Sequence, residues 1–292
     1  MILLTGASGN VGSQVLRRLT ARGDRVRVLV RDPRRLGGER VRVQIALGDL
    51  ADPVSFRNAL RGVQTVVHLA ASIRDQPRAS IEELNGVATL RLVRAAERAR
   101  TERFVFFSAI GASLHARARF FRAKALAERA VEESALATTV FAPSIVYSPD
   151  DPWVTLLRRM SLLPALPIAG SGRARYQPIW AGDVADCVIA ELDRPADGHR
   201  RFDLAGPETL TYDDIARVAL RAWGRQRRLL HVPVPVVRAG LRSVEAVSRR
   251  KAFATWEEAE LMEIPMTTSR GSADAESLGV QPLRMAAVLG GS

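Results

Sequence analysis

Thr5-Gly6-Ala7-Ser8-Gly9-Asn10-Val11-Gly12 lies between a short apolar run, Ile2–Thr5, and a segment, 11–22, whose Val11, Val15, Leu16 and Leu19 recur at helical spacing. Gly6 permits the tight turn, Gly9 lets a pyrophosphate approach the backbone, and Gly12 lets the helix pack closely on the strand. The first turn of that helix offers unpaired N–H groups and a partial positive charge, which suit phosphate. The spacing is G-x-x-G-x-x-G and not the G-x-G-x-x-G of the usual dinucleotide fingerprint. Glycine-rich turns are common. The setting, between strand and helix and within repeated βαβ units, favours a phosphate seat over a merely structural turn.

Outward from the turn, strand and helix patterns alternate. Segments 25–30, 41–47, 63–69, 104–107 and 138–141 read as strands; 53–60 (entered at Asp52, a good N-cap), 80–100 and 118–135 read as helices. Such alternation implies an α/β fold, a doubly wound parallel sheet of the Rossmann kind with helices on both faces. After Pro143 the regular crossovers stop, and Pro152, Pro164, Pro167 and Pro178 divide the chain into short pieces. Helices at 183–193, 212–222, 235–249 and 256–263 and brief strands near 176–180 and 200–204 are expected there. The division is a dinucleotide-type core, 1–147, and a smaller, mainly helical lobe, 148–292, with elements returning to the sheet. Segment 267–279, polar and rich in glycine and serine, reads as loose.

Composition narrows the function classes. The 292 residues are 47% hydrophobic, which excludes a disordered chain, and Cys187 is the one cysteine, which excludes a disulfide framework or multi-Cys zinc site. No His/Asp/Glu cluster has metal-ligand spacing, so no metal is expected. No run approaches the ~20 apolar residues of a membrane span. Met1-Ile2-Leu3-Leu4 runs into the glycine turn without a basic leader region, so a cytoplasmic location is the expectation. The formal charge is +12, and Lys124 and Lys251 are the only lysines among 43 basic side chains, the other 41 being arginine. These cations are dispersed, often beside acids, and aromatics are only 5%, so a solvated, ion-paired surface is favoured and no nucleic acid is expected as partner. Segment 234–250 is apolar on one side and basic on the other. Packing on the lobe is its first reading, a membrane-surface contact the lesser one.

Further motifs stand after the strands in a specific order. They are Gly48-Asp49-Leu50, then His68-Leu69-Ala70-Ala71, residues 104–109 (FVFFSA), Ala142-Pro143-Ser144-Ile145-Val146-Tyr147 and Gln177-Pro178-Ile179-Trp180-Ala181-Gly182-Asp183-Val184-Ala185. Together with the glycine turn they make nearly the whole chain resemble the extended and atypical short-chain dehydrogenase/reductases. The nearest branches are those of the accessory NAD(P)H-binding subunit of complex I and the NmrA-like proteins. The resemblance implies dinucleotide contacts from Gly6, Ser8, Gly9, Asn10, Val11 and Gly12 and, near the adenosine, from Arg31, Arg34, Asp49 and Leu50. It further implies Leu69, Ala70 and Ala71 beyond the fourth strand. Near the nicotinamide it implies Phe107, Ser108, Lys124, Pro143, Ser144 and Val146. Ala142 replaces the arginine usual in such relatives.

NAD-selective relatives end the second strand in a carboxylate for the ribose 2′-OH, whereas here the strand ends in Arg31, with Arg34 and Arg35 behind it. A guanidinium matches a 2′-phosphate, so NADP(H) is the preferred cofactor. Asp32, which could pair with Arg31 or serve the 2′-OH itself, keeps NAD(H) open as the alternative.

Catalytic relatives carry Tyr-x-x-x-Lys on the helix after the fifth strand, both side chains on one face a turn apart. This chain has Phe120-Phe121-Arg122-Ala123-Lys124, and Tyr147, Tyr176 and Tyr212 all lie elsewhere. The usual proton donor is therefore missing. A lone surface lysine is ordinarily just solvated. In a chain that otherwise uses arginine, Lys124 instead suggests a site that needs a compact ammonium, for ribose contact and as a candidate acid. His115 on the preceding loop, an imidazole that can give or take a proton, is a second, weaker candidate. His68 reads as the buried end of the fourth strand.

Two function classes follow. One is an NADPH-dependent oxidoreductase acting on a small organic substrate, with Trp153, Leu156, Leu157, Met160 and Trp180 as walls of an apolar pocket or, equally well, as lobe core. The other is a non-catalytic NADP(H)-binding sensor, accessory or assembly protein. Nucleotide-sugar epimerase or dehydratase chemistry comes third, since it relies on the missing tyrosine.

Overall fold

The computed structural model describes residues 1–76, 79–237 and 261–291. Its centre is a seven-stranded parallel sheet. In chain order the strands are β1 (Ile2–Thr5), β2 (Val26–Val30), β3 (Gln44–Leu47), β4 (Thr65–His68), β5 (Arg103–Phe107), β6 (Ala137–Pro143) and β11 (His199–Leu204). They lie side by side as β11-β6-β5-β4-β1-β2-β3. The order reverses at β1, between β2 and β4, and an open α/β sheet leaves its ligand crevice at the carboxyl ends of the strands at such a point.

Period-2 alternation divides the apolar side chains between two layers. Leu4, Val28, Val67 and Val105 face α1 (Asn10–Ala21) and α6 (Ala181–Leu192), where Val15, Leu16, Val184 and Val188 meet them. Leu3, Val66, Phe104 and Phe106 face α3 (Ala88–Arg98) and α4 (Arg119–Glu132), packing with Leu92, Ala127 and Val131. All five residues of β5 are buried, as expected of a strand covered on both faces.

The element boundaries refine the sequence reading. The third strand begins at Gln44; Val41 is 81% exposed and ends a 3-10 segment, Pro33–Val41, whose first turn is capped by Asp32. The 53–60 helix is α2 (Pro53–Phe56), capped by Asp52, followed by a 3-10 turn, Arg57–Leu60. The long 80–100 helix contains a π turn, Glu83–Val87.

Beyond β6 the proline-broken stretch holds more regular structure than its sequence suggests. Asp151 accepts from the N–H of Val154 and Pro152 sits at the first helical position, so the proline starts α5 (Pro152–Met160). Four short strands, β7 (Val146–Tyr147), β8 (Ala165–Ala169), β9 (Arg175–Tyr176) and β10 (Ile179–Trp180), precede α6. After β11 come β12 (Leu210–Thr211), α7 (Tyr212–Ala222), opened by a Thr211/Asp214 capping box, and β13 (Arg228–Val232), which pairs parallel with β8. Tyr147, Leu157, Tyr176, Ile215 and Leu220 form this lobe's own core, with Trp153, Met160 and Trp180 against it. The helices read at 235–249 and 256–263, and most of the amphipathic segment 234–250, lie outside the described residues.

Segment 267–279, expected to be loose, is fastened instead. A short helix, Ala273–Ser277, inserts Ala275 and Leu278 into the sheet core. The buried Asp274 carboxylate accepts from the backbone N–H of Asp203 at 2.8 Å and from Arg270 at 2.5 Å. Polarity of sequence misleads here because the Asp274 carboxylate is spent on the β11 backbone and its neighbours bond one another. Asp274→Ala, which leaves the Asp203 N–H without its acceptor, is expected to lower unfolding free energy by about 1–3 kcal/mol in urea denaturation.

Candidate functional site

Gly6 lies at φ +73°, the left-handed region, and a Cβ on it would stand 2.5 Å from the backbone N of Ala70. A Cβ on Gly12 would stand 2.1 Å from the Gly6 carbonyl oxygen. The turn is closed by Gly9 N–H donating to Gly6 O at 2.9 Å. Gly9 is also the N-cap of α1 and brings no side-chain acceptor, so the first N–H groups of α1 are left for a ligand. Ser8, Asn10 and Val11 flank this opening in partly exposed positions. Asn10 accepts at Oδ1 from the Ser148 hydroxyl at 2.5 Å, which ties the turn to the second lobe.

The remaining sequence candidates collect along the same carboxyl edge. Beyond β2 and β3, the Arg31 guanidinium is 61% exposed and 3.9 Å from Asp49, while Arg34 extends into solvent. Asp49 accepts from Ala51 N–H at 3.0 Å, with Leu50 between them, and Asp32 accepts from Arg34 N–H at 3.0 Å. Beyond β4, Leu69 N–H donates to Thr5 O at 3.2 Å, Ala70 lies against Gly6, and Ala71 is exposed.

At the ends of β5 and β6 the chemistry is denser. Lys124 is 3% exposed, and its ammonium donates to the Phe107 carbonyl at 2.5 Å. It lies 5.0 Å from the ring centre of Phe106 and 5.7 Å from that of Phe120, the residue one turn before it. Burial pulls the Lys124 pKa down to about 7. The Ser108 hydroxyl is buried and has no hydrogen-bond partner. Ser144 is fully engaged. Its hydroxyl donates to Met266 O at 2.6 Å and accepts from Gln177 N–H at 3.1 Å. Pro143 O accepts from Ile110 N–H, and Val146 pairs with Ile179 in β7–β10. His115 is exposed on the loop before α4.

His68 ends β4 in full burial. Thr89 spends its proton on Asn85 O, so its oxygen accepts from His68 Nε2–H at 3.0 Å, and Thr5 donates to Nδ1 at 2.7 Å. Burial, and then the charge of Lys124, push this imidazole down to about 3, so it is neutral at any physiological pH.

Sequence reasoning missed two groups beside the site. Asn85, in the π turn, accepts from Ser72 N–H and donates to Ser72 O and Ile81 O, fixing the loop after β4. Arg119, at the start of α4, forks onto Glu82 at 2.6–2.7 Å and onto Asp75 at 2.9 Å. Its hydrogen bonds hold the Glu82 carboxyl down at about 2. A π turn has no sequence signature of its own, but an arginine opening the helix that bears Lys124 was a usable signal. Trp153, Leu157, Met160 and Trp180, considered as pocket walls, belong to the lobe core. Phe120, whose ring is near Lys124, packs with Leu261, Ile264 and Met266 against the buried Ala109, Ala118 and Phe121. Among the described residues no cluster of His, Cys, Asp and Glu is arranged to hold a metal.

The glycine cradle, the uncapped helix and the orphaned Ser108 hydroxyl fit a dinucleotide laid across the crevice. Comparison with known proteins agrees. A family model described as NAD(P)H-binding matches residues 6–195. A mitochondrial NADH dehydrogenase (ubiquinone) 1 alpha subcomplex subunit 9 of Arabidopsis thaliana is 27% identical, the match covering 80% of this chain and 60% of that one. A ceramide reductase of Caulobacter vibrioides is 27% identical, with 80% and 74% covered. The chain thus spans about three fifths of the first of these relatives. In fold, a nucleoside-diphosphate-sugar epimerase from Staphylococcus aureus matches at TM-score 0.80 over 99% of both chains, with 21% identity.

Gly12→Ala forces the turn to move and is expected to weaken NADPH binding in a fluorescence titration. The loss is about tenfold or more for each charge-assisted hydrogen bond broken, at ~1.5–3 kcal/mol apiece.

Proposed function

The chain belongs to the NAD(P)H-binding family, and from that membership we propose that it is a cytoplasmic, NADP(H)-preferring oxidoreductase of the atypical short-chain dehydrogenase/reductase kind, related to the complex I accessory and NmrA-like branches and reducing a small apolar substrate without the usual tyrosine. The observation that carries the reading is the buried Lys124 ammonium at the end of β5, beneath the Phe120 ring.

NADP(H) is favoured by Arg31, whose exposed guanidinium can meet a 2′-phosphate, and by Asp32, whose carboxylate is occupied in capping the Pro33–Val41 segment. Gly6 through Gly12 and the first turn of α1 would hold the pyrophosphate, with Asp49 and Leu50 beside the adenosine. Ser108 and Lys124 would lie towards the nicotinamide end. When bound there, the dinucleotide would be the source of hydride.

The chain's part is to supply the proton. As a carbonyl π bond opens, the oxygen takes a proton from the Lys124 ammonium, leaving a neutral amine that solvent reprotonates. One of its N–H donors is held by Phe107 O, and a pKa near 7 makes the transfer accessible at neutral pH. His115 would serve as an alternative donor from the loop. Phe120, with Leu261, Ile264 and Met266 in the same apolar cluster, would favour apolar substrates.

A second reading, a binding-only accessory or sensor protein, is favoured by Phe120 in the tyrosine position and by the similarity to a subunit of a larger assembly. The test is NADPH oxidation with a panel of quinones, aldehydes and enones. Turnover is expected whose kcat/KM falls as pH rises through about 7, because the ammonium that donates is lost above its pKa. In Lys124→Met the rate should drop about 10²–10⁴-fold and lose that pH dependence. Absence of turnover across the panel supports the binding-only reading. Arg31→Ala should weaken NADPH about tenfold or more and leave NADH unchanged, the difference expected of one charge-assisted phosphate contact.

A further inference from the structure

The outer end of the second lobe carries a charge pattern that the dinucleotide site does not use. Residues 152–182 and 215–244 contain no Asp or Glu, yet they contain eleven arginines. The fold gathers several of these at one place. The last turn of α5 and the segment between α7 and β13 meet where Arg225 donates to Arg158 O and Arg227 donates to Ser161 O. Arg158, Arg159, Arg221, Arg227 and Arg228 are exposed around this junction. Among the described residues none of the five is within 4 Å of a carboxylate, in contrast to the ion-paired arginines elsewhere, such as Arg18 with Asp186 and Arg201 with Glu128.

At the centre of this basic end two neighbouring leucines protrude. Leu162 is 66% and Leu163 49% exposed, on the turn that leaves α5. Together with Pro164, Gln226, Arg227 and Arg228 they line a shallow open hollow. Exposed leucines beside guanidinium groups that have no acidic partner offer two kinds of contact at once. A phosphate backbone uses only the charges, and the nucleic-acid alternative would want aromatic platforms for the bases. A lipid surface uses both, taking the leucines among acyl chains and the guanidiniums among headgroup phosphates.

We propose that this end of the lobe docks on the surface of an anionic phospholipid bilayer, with the Leu162–Leu163 turn inserted at the headgroup boundary. No helix of the described residues is long and apolar enough to cross a membrane, so the attachment is peripheral. It stands independently of the dinucleotide reading.

The test is flotation of the full chain with phosphatidylcholine vesicles, with and without phosphatidylglycerol. Binding is expected only to the anionic vesicles and is released by raising salt. Leu162→Asp with Leu163→Asp, and separately Arg227→Glu with Arg228→Glu, should each cut the bound fraction about tenfold, in line with the contribution of a few surface groups. The milder pair Leu162→Ser with Leu163→Ser should give the same direction, and melting curves together with NADPH titration check that each variant is folded. Equal binding to neutral vesicles, no binding, or full binding by the folded leucine or arginine variants would overturn the proposal. So would tight binding of an RNA or DNA oligonucleotide that the leucine substitutions leave unchanged.

Discussion

The close approach of α1 to β1 is the constraint on which the rest of this molecule depends. Any side chain at Gly12 would collide with the Gly6 carbonyl, and any at Gly6 with the backbone of Ala70. Two absent side chains therefore set the distance between the first helix and the sheet, and they bring the loops after β1 and β4 into contact. Because those strands flank the point where strand order reverses, the same contact opens the crevice and aims the uncapped helix end into it. Packing and ligand site are here one geometric fact.

A second constraint concerns charge in the interior. A buried ammonium is tolerated at Lys124 because a carbonyl and two aromatic faces take the place of water. Arginine, used almost everywhere else in the chain, would bring a larger and permanently charged group. His68, next in the same interior, stays neutral, its two nitrogens matched to one donor and one acceptor. The pair shows how a basic protein keeps its core from accumulating positive charge. The lysine can shed its proton, and the histidine never gains one.

What was legible in the sequence follows from locality. The glycine turn, the alternation of strands and helices, and the Phe120/Lys124 spacing all depend on residues within a turn or two of each other, and all recur in the structure. The π turn at 83–87 was read as ordinary helix because its apolar pattern is helical and only the hydrogen bonding differs. Arg119 was overlooked because its partners Glu82 and Asp75 lie about forty residues away. Segment 267–279 was misread as loose for the same reason. The groups that hold this tail, the Ser144 hydroxyl on Met266 O and the Asp203 N–H on the Asp274 carboxylate, lie far earlier in the chain. Prolines 152, 164 and 167 read locally as interruptions, yet the first opens a helix and Pro167 lies within β8. Proline restricts where an element starts more than whether one exists.

The pinned Met266 has a consequence for how the chain is made. It packs against Ile110, Ala142 and Ala205 and hangs from Ser144, so the apolar end of β6 is covered by a residue synthesised about 120 positions after it, and that of β5 waits longer still. At roughly 5–20 residues per second a ribosome needs on the order of 6–24 s to cross that interval. The six amino-terminal strands can be in place throughout that wait, with their greasy rim open to the surroundings. A nascent chain of this protein is thus most vulnerable to sticking, and most in need of a chaperone, late in translation, when most of its sheet is already built.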